Sequence, residues 1–293
     1  MFQTIALFGT GLIGGSFALA LRRRHAHVRV VGVDRDAAAA RRALELGIVD
    51  SIAVDVAQAI RGADLVFLAV PVAQTPGLLA QLLAGGLDEH TLITDAGSTK
   101  GDVVAAARAV LGARIDRFVP GHPIAGREVH GPDAALATLY DDRDVILTPL
   151  PENAAEAVER VHAAWTDCGA RVTTMTVERH DRVLASVSHL PHLLSYALVA
   201  QIVDSADAAL KFDLAGAGFR DFTRIAASSP EMWRDIALAN REALLAELDA
   251  YLALVGHLRR SIDDGDGAAL EALFDKASRT RQAWKRVEPH SSA

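Results

Sequence analysis

Residues 4–15 read Thr4-Ile5-Ala6-Leu7-Phe8-Gly9-Thr10-Gly11-Leu12-Ile13-Gly14-Gly15. The apolar run up to Phe8 fits a short buried strand, and the glycine-punctuated segment after it fits the opening of a helix. Gly9 permits the tight turn, Gly11 lets backbone approach a pyrophosphate, and Gly14 lets helix pack closely on strand. The free N–H groups at the helix start then present a positive dipole end to the anion. The next apolar run, Val28–Val33, ends at Asp34, twenty positions after Gly14. A carboxylate there accepts the hydroxyls of an adenosine ribose. It also repels a ribose 2′-phosphate, which favours NAD over NADP. Arg35 cuts the other way, because it either stacks on adenine or pairs with such a phosphate.

Further short apolar runs follow at Asp64–Val70, Leu92–Thr94 and Arg117–Val119, with weaker ones at Val145–Leu147 and Arg171–Met175. Between them lie Ala-rich stretches such as Ala37–Leu46 and Gly101–Leu111, with helical propensity and apolar spacing of three to four. Strand–helix alternation of this kind predicts an α/β fold, a doubly wound parallel sheet covered on both faces. From about Val177 the strand signals stop, and Glu178–Asp204, Pro230–Ser261 and Asp266–Arg286 read as long helical segments. We therefore expect a Rossmann-like NAD-binding domain over residues 1–177 and an all-α domain over 178–293. The tail from Glu288 is expected to fray.

Hydrophobic residues make up 51% and charged residues 23% of the 293, which excludes wholesale disorder. Thirty Lys and Arg against 37 Asp and Glu leave a net charge of −7, so nucleic acid is not expected as a partner. The single cysteine, Cys168, forms no internal disulfide, which fits a reducing compartment. Met1–Leu21 carries no charge and precedes Arg22-Arg23-Arg24, but its four central glycines, and the lack of a basic lead-in, argue against a leader or a membrane span. The arginine trio is expected to cap the helix and face solvent. Val183–Val203 is uncharged too, yet His189, Pro191 and His192 suit a buried helix better than lipid. A soluble cytoplasmic protein is the expectation.

The remaining polar motifs gather at strand ends. Asp95-Ala96-Gly97-Ser98-Thr99-Lys100 follows one strand and Gly121-His122-Pro123-Ile124-Ala125-Gly126 the next. Ligands of open α/β sheets bind beyond the carboxyl ends of strands, so both loops should face the reactive end of a dinucleotide. His122 reads equally well as a general base or as a loop histidine bonded to backbone. In the helical part, His180-Asp181 and Ser188-His189-Leu190-Pro191-His192 fit core histidines or substrate contacts. No metal is expected, because no cysteine or acidic partner stands at a familiar ligand spacing. Arg220 and Arg224, four apart at the start of a helix, share a face that suits either an anionic substrate or an ion pair with Asp221.

Taken in order, these motifs resemble those of the prephenate dehydrogenases of tyrosine biosynthesis, a family that includes cyclohexadienyl and arogenate dehydrogenases. The resemblance runs from about residue 4 to 240. It implies oxidative decarboxylation of prephenate to 4-hydroxyphenylpyruvate, with hydride leaving C4 for NAD. It further implies that His122 polarises or deprotonates the C4 hydroxyl, and that Ser98 orients His122 and the nicotinamide carboxamide. Arg224 would bind a substrate carboxylate, with Ser188 and His192 on the substrate's side chain and Glu128 at the mouth of the site. Trp233 would line the substrate region or simply pack. Gly9, Gly11, Leu12, Ile13, Gly14, Asp34, Arg35, Val70, Pro71 and Ser98 would surround the cofactor. The family often carries a small hydroxyl residue after the His-Pro-Ile-Ala-Gly run, where this chain has Arg127. That cation either assists a carboxylate, as Arg220 also would, or pairs with Glu128.

The chemistry is coherent: the C4 hydroxyl is a poor hydride source until its proton is drawn away, which a neutral imidazole does near pH 7. Activity is accordingly expected to rise through one deprotonation near neutrality. A dianionic substrate calls for bidentate arginine rather than lysine. Two rival readings are weaker. A β-hydroxyacid dehydrogenase would need a helix-borne lysine with a nearby asparagine, which Lys211 lacks, and a non-catalytic NAD-sensing protein would bind without turnover. Prephenate and arogenate, which differ only in keto versus amino at the side chain, both fit as the substrate, and tyrosine is a candidate inhibitor. The chain is too short for an added chorismate mutase domain or a clear regulatory domain after the helices. The helices after Val177 hold more apolar residues than one layer hides, so a homodimer is expected.

Overall fold

The computed structural model describes residues 1–127 and 129–284. Its first half contains β1 (Thr4–Phe8), α1 (Leu12–Arg24), β2 (Arg29–Val33), α2 (Ala37–Glu45), β3 (Ser51–Ile52), α3 (Val56–Ile60), β4 (Leu65–Leu68), α4 (Thr75–Ala84), β5 (Leu92–Asp95), α5 (Gly101–Leu111) and β6 (Phe118–Val119). Then come β7 (Gly121–Pro123), β8 (Asp144–Leu147), α6 (Ala155–Asp167) and β9 (Arg171–Thr174). The helical half runs α7 (Val177–Leu184), α8 (Leu190–Val203), α9 (Ala208–Asp213), α10 (Ala217–Thr223), α11 (Pro230–Ala239), α12 (Arg241–Asp263) and α13 (Gly267–Ala283).

Six strands make one all-parallel sheet in the order β3-β2-β1-β4-β5-β6. The strand order reverses between β1 and β4, and their carboxyl ends form the crevice at which such sheets bind ligands. Both faces are covered. Phe17, Phe67, Tyr140 and Trp165 pack as edge-on and tilted aromatic pairs on one side, with Phe17 and Trp165 centroids 4.8 Å apart. Phe8, Leu68, Leu79, Leu82, Val103 and Phe118 fill the other.

Several expectations need correction. β8 and β9 do not extend the large sheet; with β7 they make a separate three-stranded sheet, β7 antiparallel to β8 and β8 parallel to β9. The chain leaves β6 after two residues because Pro120 has no N–H to give the sheet, while its carbonyl accepts from Thr148 N at 3.0 Å. His122 therefore sits on a short strand, opposite Ile146, rather than on a loop. The helix expected over 178–204 runs over Val177–Val203 with a π turn at Ala185–His189 inside it, whereas Pro230–Ser261 is two helices meeting at Asn240. Arg22, Arg23 and Arg24 are not simple solvent-facing caps: they pair with Asp50, Asp141 and Asp167, tying the end of α1 to neighbouring segments.

The expectation that residues 183–203 form a buried helix also fails for the single chain. Val177–Val203 is apolar enough to cross a membrane by length and composition alone; an 18-residue window within it has mean hydropathy 1.4, and 28% of that window is buried. In α8 only Leu190 and Ser195 are buried. The residues from Glu288 lie outside the described residues.

The glycine loop sets a sharp packing test. A Cβ on Gly14 would lie 2.0 Å from the Gly9 carbonyl oxygen and 2.8 Å from Leu7 Cδ1, so Gly14→Ala forces α1 off β1. The expected cost is about 1–3 kcal/mol, a fall in Tm of roughly 2–12 °C. Gly77, inside α4, has nothing within 4 Å of its Cβ position; Gly77→Ala should instead hold or raise Tm by cutting unfolded-state freedom. Calorimetry on the two variants checks both signs.

Candidate active site

The site assembles from five elements, beginning at the carboxyl end of β1. Gly9 adopts φ +91°, and a Cβ there would lie 2.3 Å from the Ala69 carbonyl oxygen, so only glycine makes this turn. Gly11 caps α1 with no side-chain hydrogen bond, leaving the first-turn N–H groups to an outside acceptor. Its Cβ position meets nothing nearer than the Gly131 backbone at 3.9 Å. That open cradle over a helix N-terminus fits a dinucleotide pyrophosphate. Asp34, at the end of β2, accepts from Thr10 N at 2.8 Å and Thr10 Oγ1 at 3.0 Å through Oδ2. It thus holds the glycine loop as well as standing where a ribose would reach it. Leu12 and Ile13 open α1, Arg35 is exposed, and Val70 and Pro71 follow β4.

At the end of β5, Asp95 and Lys100 form an ion pair with both side chains buried. Asp95 also accepts from Gly97 N at 2.9 Å and, through its other oxygen, from Gly121 N at 3.0 Å. One carboxylate therefore shapes the turn after β5 and fixes the start of β7, the residue before His122. Sequence reading passed over this pair because nothing in Asp95-x-x-x-x-Lys100 shows that the lysine folds back inside.

His122 is 8% exposed, and its Nδ1 lies 2.9 Å from His180 Nε2. His180, fully buried on α7, places its own Nδ1 2.8 Å from Asp181 Oδ1. Asp181 reaches across to cap α5, accepting from Lys100 N at 2.9 Å and Gly101 N at 2.7 Å. A Cβ on Gly101 would sit 2.8 Å from Asp181 Oδ2, so a side chain there would press on the capping carboxylate. Ser98, expected to orient His122, makes no hydrogen bond to it among the described residues; His180 holds that position. The signal for His180 was present only as the His-Asp dipeptide.

Electrostatics follow from this burial. Burial first, then His180, Lys100 and His189, push the His122 pKa well below its ordinary value. The lowered pKa favours the neutral imidazole, the form able to accept a proton. Burial pushes the Asp181 carboxyl up, but hydrogen bonds from His180 and from the Lys100 and Gly101 amides outweigh it and hold the pKa below the usual value. His189, buried in the π turn, is pushed down to about 4. Asn240 Nδ2 donates to the Asp181 carbonyl at 2.7 Å and lies 3.0 Å from His189 Nδ1.

The remaining expected residues are more spread. Ser188 is half-buried, and its carbonyl accepts from His192 Nδ1 at 3.0 Å. His192 stacks on Trp233 with ring centroids 3.5 Å apart. Trp233, His189, Leu193, Tyr196 and Leu244 line an apolar cavity of about 260 Å³. Arg220 is exposed on α10, whereas Arg224 is exposed in the 3₁₀ turn Arg224–Ala227, so the two are not on one regular helix. Arg127 is exposed after β7, and Glu128 lies outside the described residues.

The chain matches two family models, one described as prephenate dehydrogenase, nucleotide-binding domain, over residues 17–174. The other is described as prephenate dehydrogenase, dimerization domain, over residues 176–276. It is 38% identical to the cyclohexadienyl dehydrogenase of Zymomonas mobilis, over 97% of each chain. It is 39% identical to the prephenate dehydrogenase of Bacillus subtilis, over 94% of this chain and 75% of that one. It also superposes on a crystal structure of prephenate dehydrogenase from Aquifex aeolicus in complex with hydroxyphenyl propionate and NAD+, with TM-score 0.88 and 35% identity. That likeness covers 96% of this chain and 98% of the other.

The buried ion pair offers a direct test. Asp95→Ala strands the Lys100 ammonium and leaves the Gly97 and Gly121 amides unpaired, and should cost about 3–5 kcal/mol. Urea unfolding should show the midpoint falling accordingly, and an unchanged midpoint would contradict the assignment.

Proposed function

The chain belongs to the prephenate dehydrogenase family, and on that premise we propose that it oxidatively decarboxylates prephenate to 4-hydroxyphenylpyruvate with His122 as the base. It is an NAD-dependent dehydrogenase of that family. The observation that carries the assignment of roles is His122 itself, buried beside the crevice at the carboxyl ends of the sheet, where burial favours its neutral form. NAD, when bound, takes the hydride that leaves C4. The Gly9–Gly14 loop and the open N-terminus of α1 would hold its pyrophosphate, and Asp34 its adenosine ribose. His122 draws the proton from the C4 hydroxyl, so that electrons move toward carbonyl formation as hydride departs. Decarboxylation and aromatisation supply the driving force.

The substrate's carboxylates need cations, and Arg224, Arg220 and Arg127 are the exposed arginines proposed for them, with Ser188, His192 and Glu128 at the side chain. Arogenate, which differs in carrying an amino group, is the alternative, favoured by the 38% identity to a cyclohexadienyl dehydrogenase. One buried free cysteine suits a cytoplasmic setting.

The experiment is His122→Asn, which keeps a polar side chain and removes the base. kcat should fall by roughly 10² to 10⁴ while NAD binding survives. Because the pKa of His122 is lowered, the acid limb of the wild-type kcat/KM profile should lie below the ordinary histidine value, and the variant should lose it. A variant with near-wild-type kcat and an unchanged profile would move the role to another residue.

A homodimer through the helical half accounts for its surface. Of the 23 exposed large apolar side chains among the described residues, 17 follow Val177, on α7 to α13 and just beyond. A second copy that covers them gives α8 the burial it lacks alone. Light scattering at micromolar concentration should return twice the 31.1 kDa chain mass; a single-chain mass would contradict this.

A further inference from the structure

We propose that His180 is a positioning residue that sets which ring nitrogen of His122 carries the proton. The inference rests on the reading of His122 as the base. It starts from Asp181, whose carboxylate only accepts hydrogen bonds when ionised. Its Oδ1 lies 2.8 Å from His180 Nδ1, so that nitrogen carries a proton. A neutral imidazole has one N–H, which leaves His180 Nε2 bare. That bare nitrogen is 2.9 Å from His122 Nδ1. Two lone pairs facing each other at that distance would repel, so His122 carries its proton on Nδ1. Its Nε2 is then the bare nitrogen, the only ring position able to take a hydroxyl proton.

The arrangement is held from several sides. Asp181 is fixed by the Lys100 and Gly101 amides, and its backbone carbonyl by Asn240. The two rings meet edge-on, with centroids 5.1 Å apart and planes at 62°. His180 is fully buried, so no water substitutes for it as acceptor. The charged and titratable groups around the pair are Asp181 behind His180, with Lys100, its partner Asp95, and His189 around His122. A second proton on His180 would turn the bond round and move the His122 proton to Nε2, closing the base. The neutral relay is therefore the active one.

The test is the tautomer itself, read from the ring-nitrogen NMR signals of ¹⁵N-histidine-labelled protein, with the His122 signals assigned by their loss in His122→Asn. Wild type should show His122 protonated on Nδ1. His180→Leu fills the space without an acceptor; His122 should shift toward the Nε2–H form and kcat should fall roughly 10- to 10³-fold with KM within about threefold. His180→Gln puts an amide oxygen near the old Nε2 position, and should restore the Nδ1–H form and bring kcat within about fivefold of wild type.

A wild-type His122 protonated on Nε2 would overturn the proposal, as would His180→Leu with an unchanged tautomer and kcat. If the Leu variant does not fold, the wild-type spectrum and the Gln variant decide the matter alone. The two readings fail separately. Persistent turnover in His122→Asn defeats the base assignment, whereas an inactive His122→Asn with wild-type His122 protonated on Nε2 defeats only the role of His180.

Discussion

Asp181 gives one carboxylate oxygen to the amide of Lys100 and to His180, and the other to the amide of Gly101. Those amides open α5 in the nucleotide half, while Asp181 belongs to the first helix after the sheets. A single ionised side chain thus caps a helix, joins the two halves and anchors the relay to His122. N-terminal amides of a helix favour a negative charge, and a capping carboxylate satisfies donors that would otherwise be orphaned. Most of the site is arranged around that contact. Asp95, at the end of β5, does the same for the loop after that strand and the start of β7.

The charges around His122 favour a neutral ring over a cation. Lys100 brings a permanent positive charge inside and is matched by Asp95. Any further cation in that space meets both desolvation and like-charge repulsion. His122 gives up its proton more readily for this reason, while His189 does so through burial and its neighbours His180 and His192. A neutral acceptor next to a crevice for an anionic dinucleotide is what hydride abstraction from an alcohol requires.

The nucleotide half was legible because its rules are local. β1 runs from Thr4 to Phe8 as the pattern indicated, and Gly9, Gly11 and Gly14 sit where turn, approach and close packing need them. β7 was read as a loop, since Gly121-His122-Pro123 carries no alternation and its strand character comes only from pairing with β8. The π turn inside the helix over 178–204 was equally hidden, because it adds one residue to a turn without a compositional mark. His180 was missed as an orienting group because its partners are His122, 58 residues away, and a carboxylate whose other bonds span 80 and 81 residues. The burial of α8 was misjudged because apolar composition does not say whether the cover comes from the same chain or from a second one.

In the proposed mechanism His122 takes the C4 hydroxyl proton. The most direct measurement is a crystal structure of the enzyme with NAD and 4-hydroxyphenylpyruvate bound. The phenolic oxygen should lie within hydrogen-bond reach of His122 Nε2, roughly 2.6–3.2 Å. A phenolic oxygen bonded instead to His189 or His192, and out of reach of His122, would contradict it.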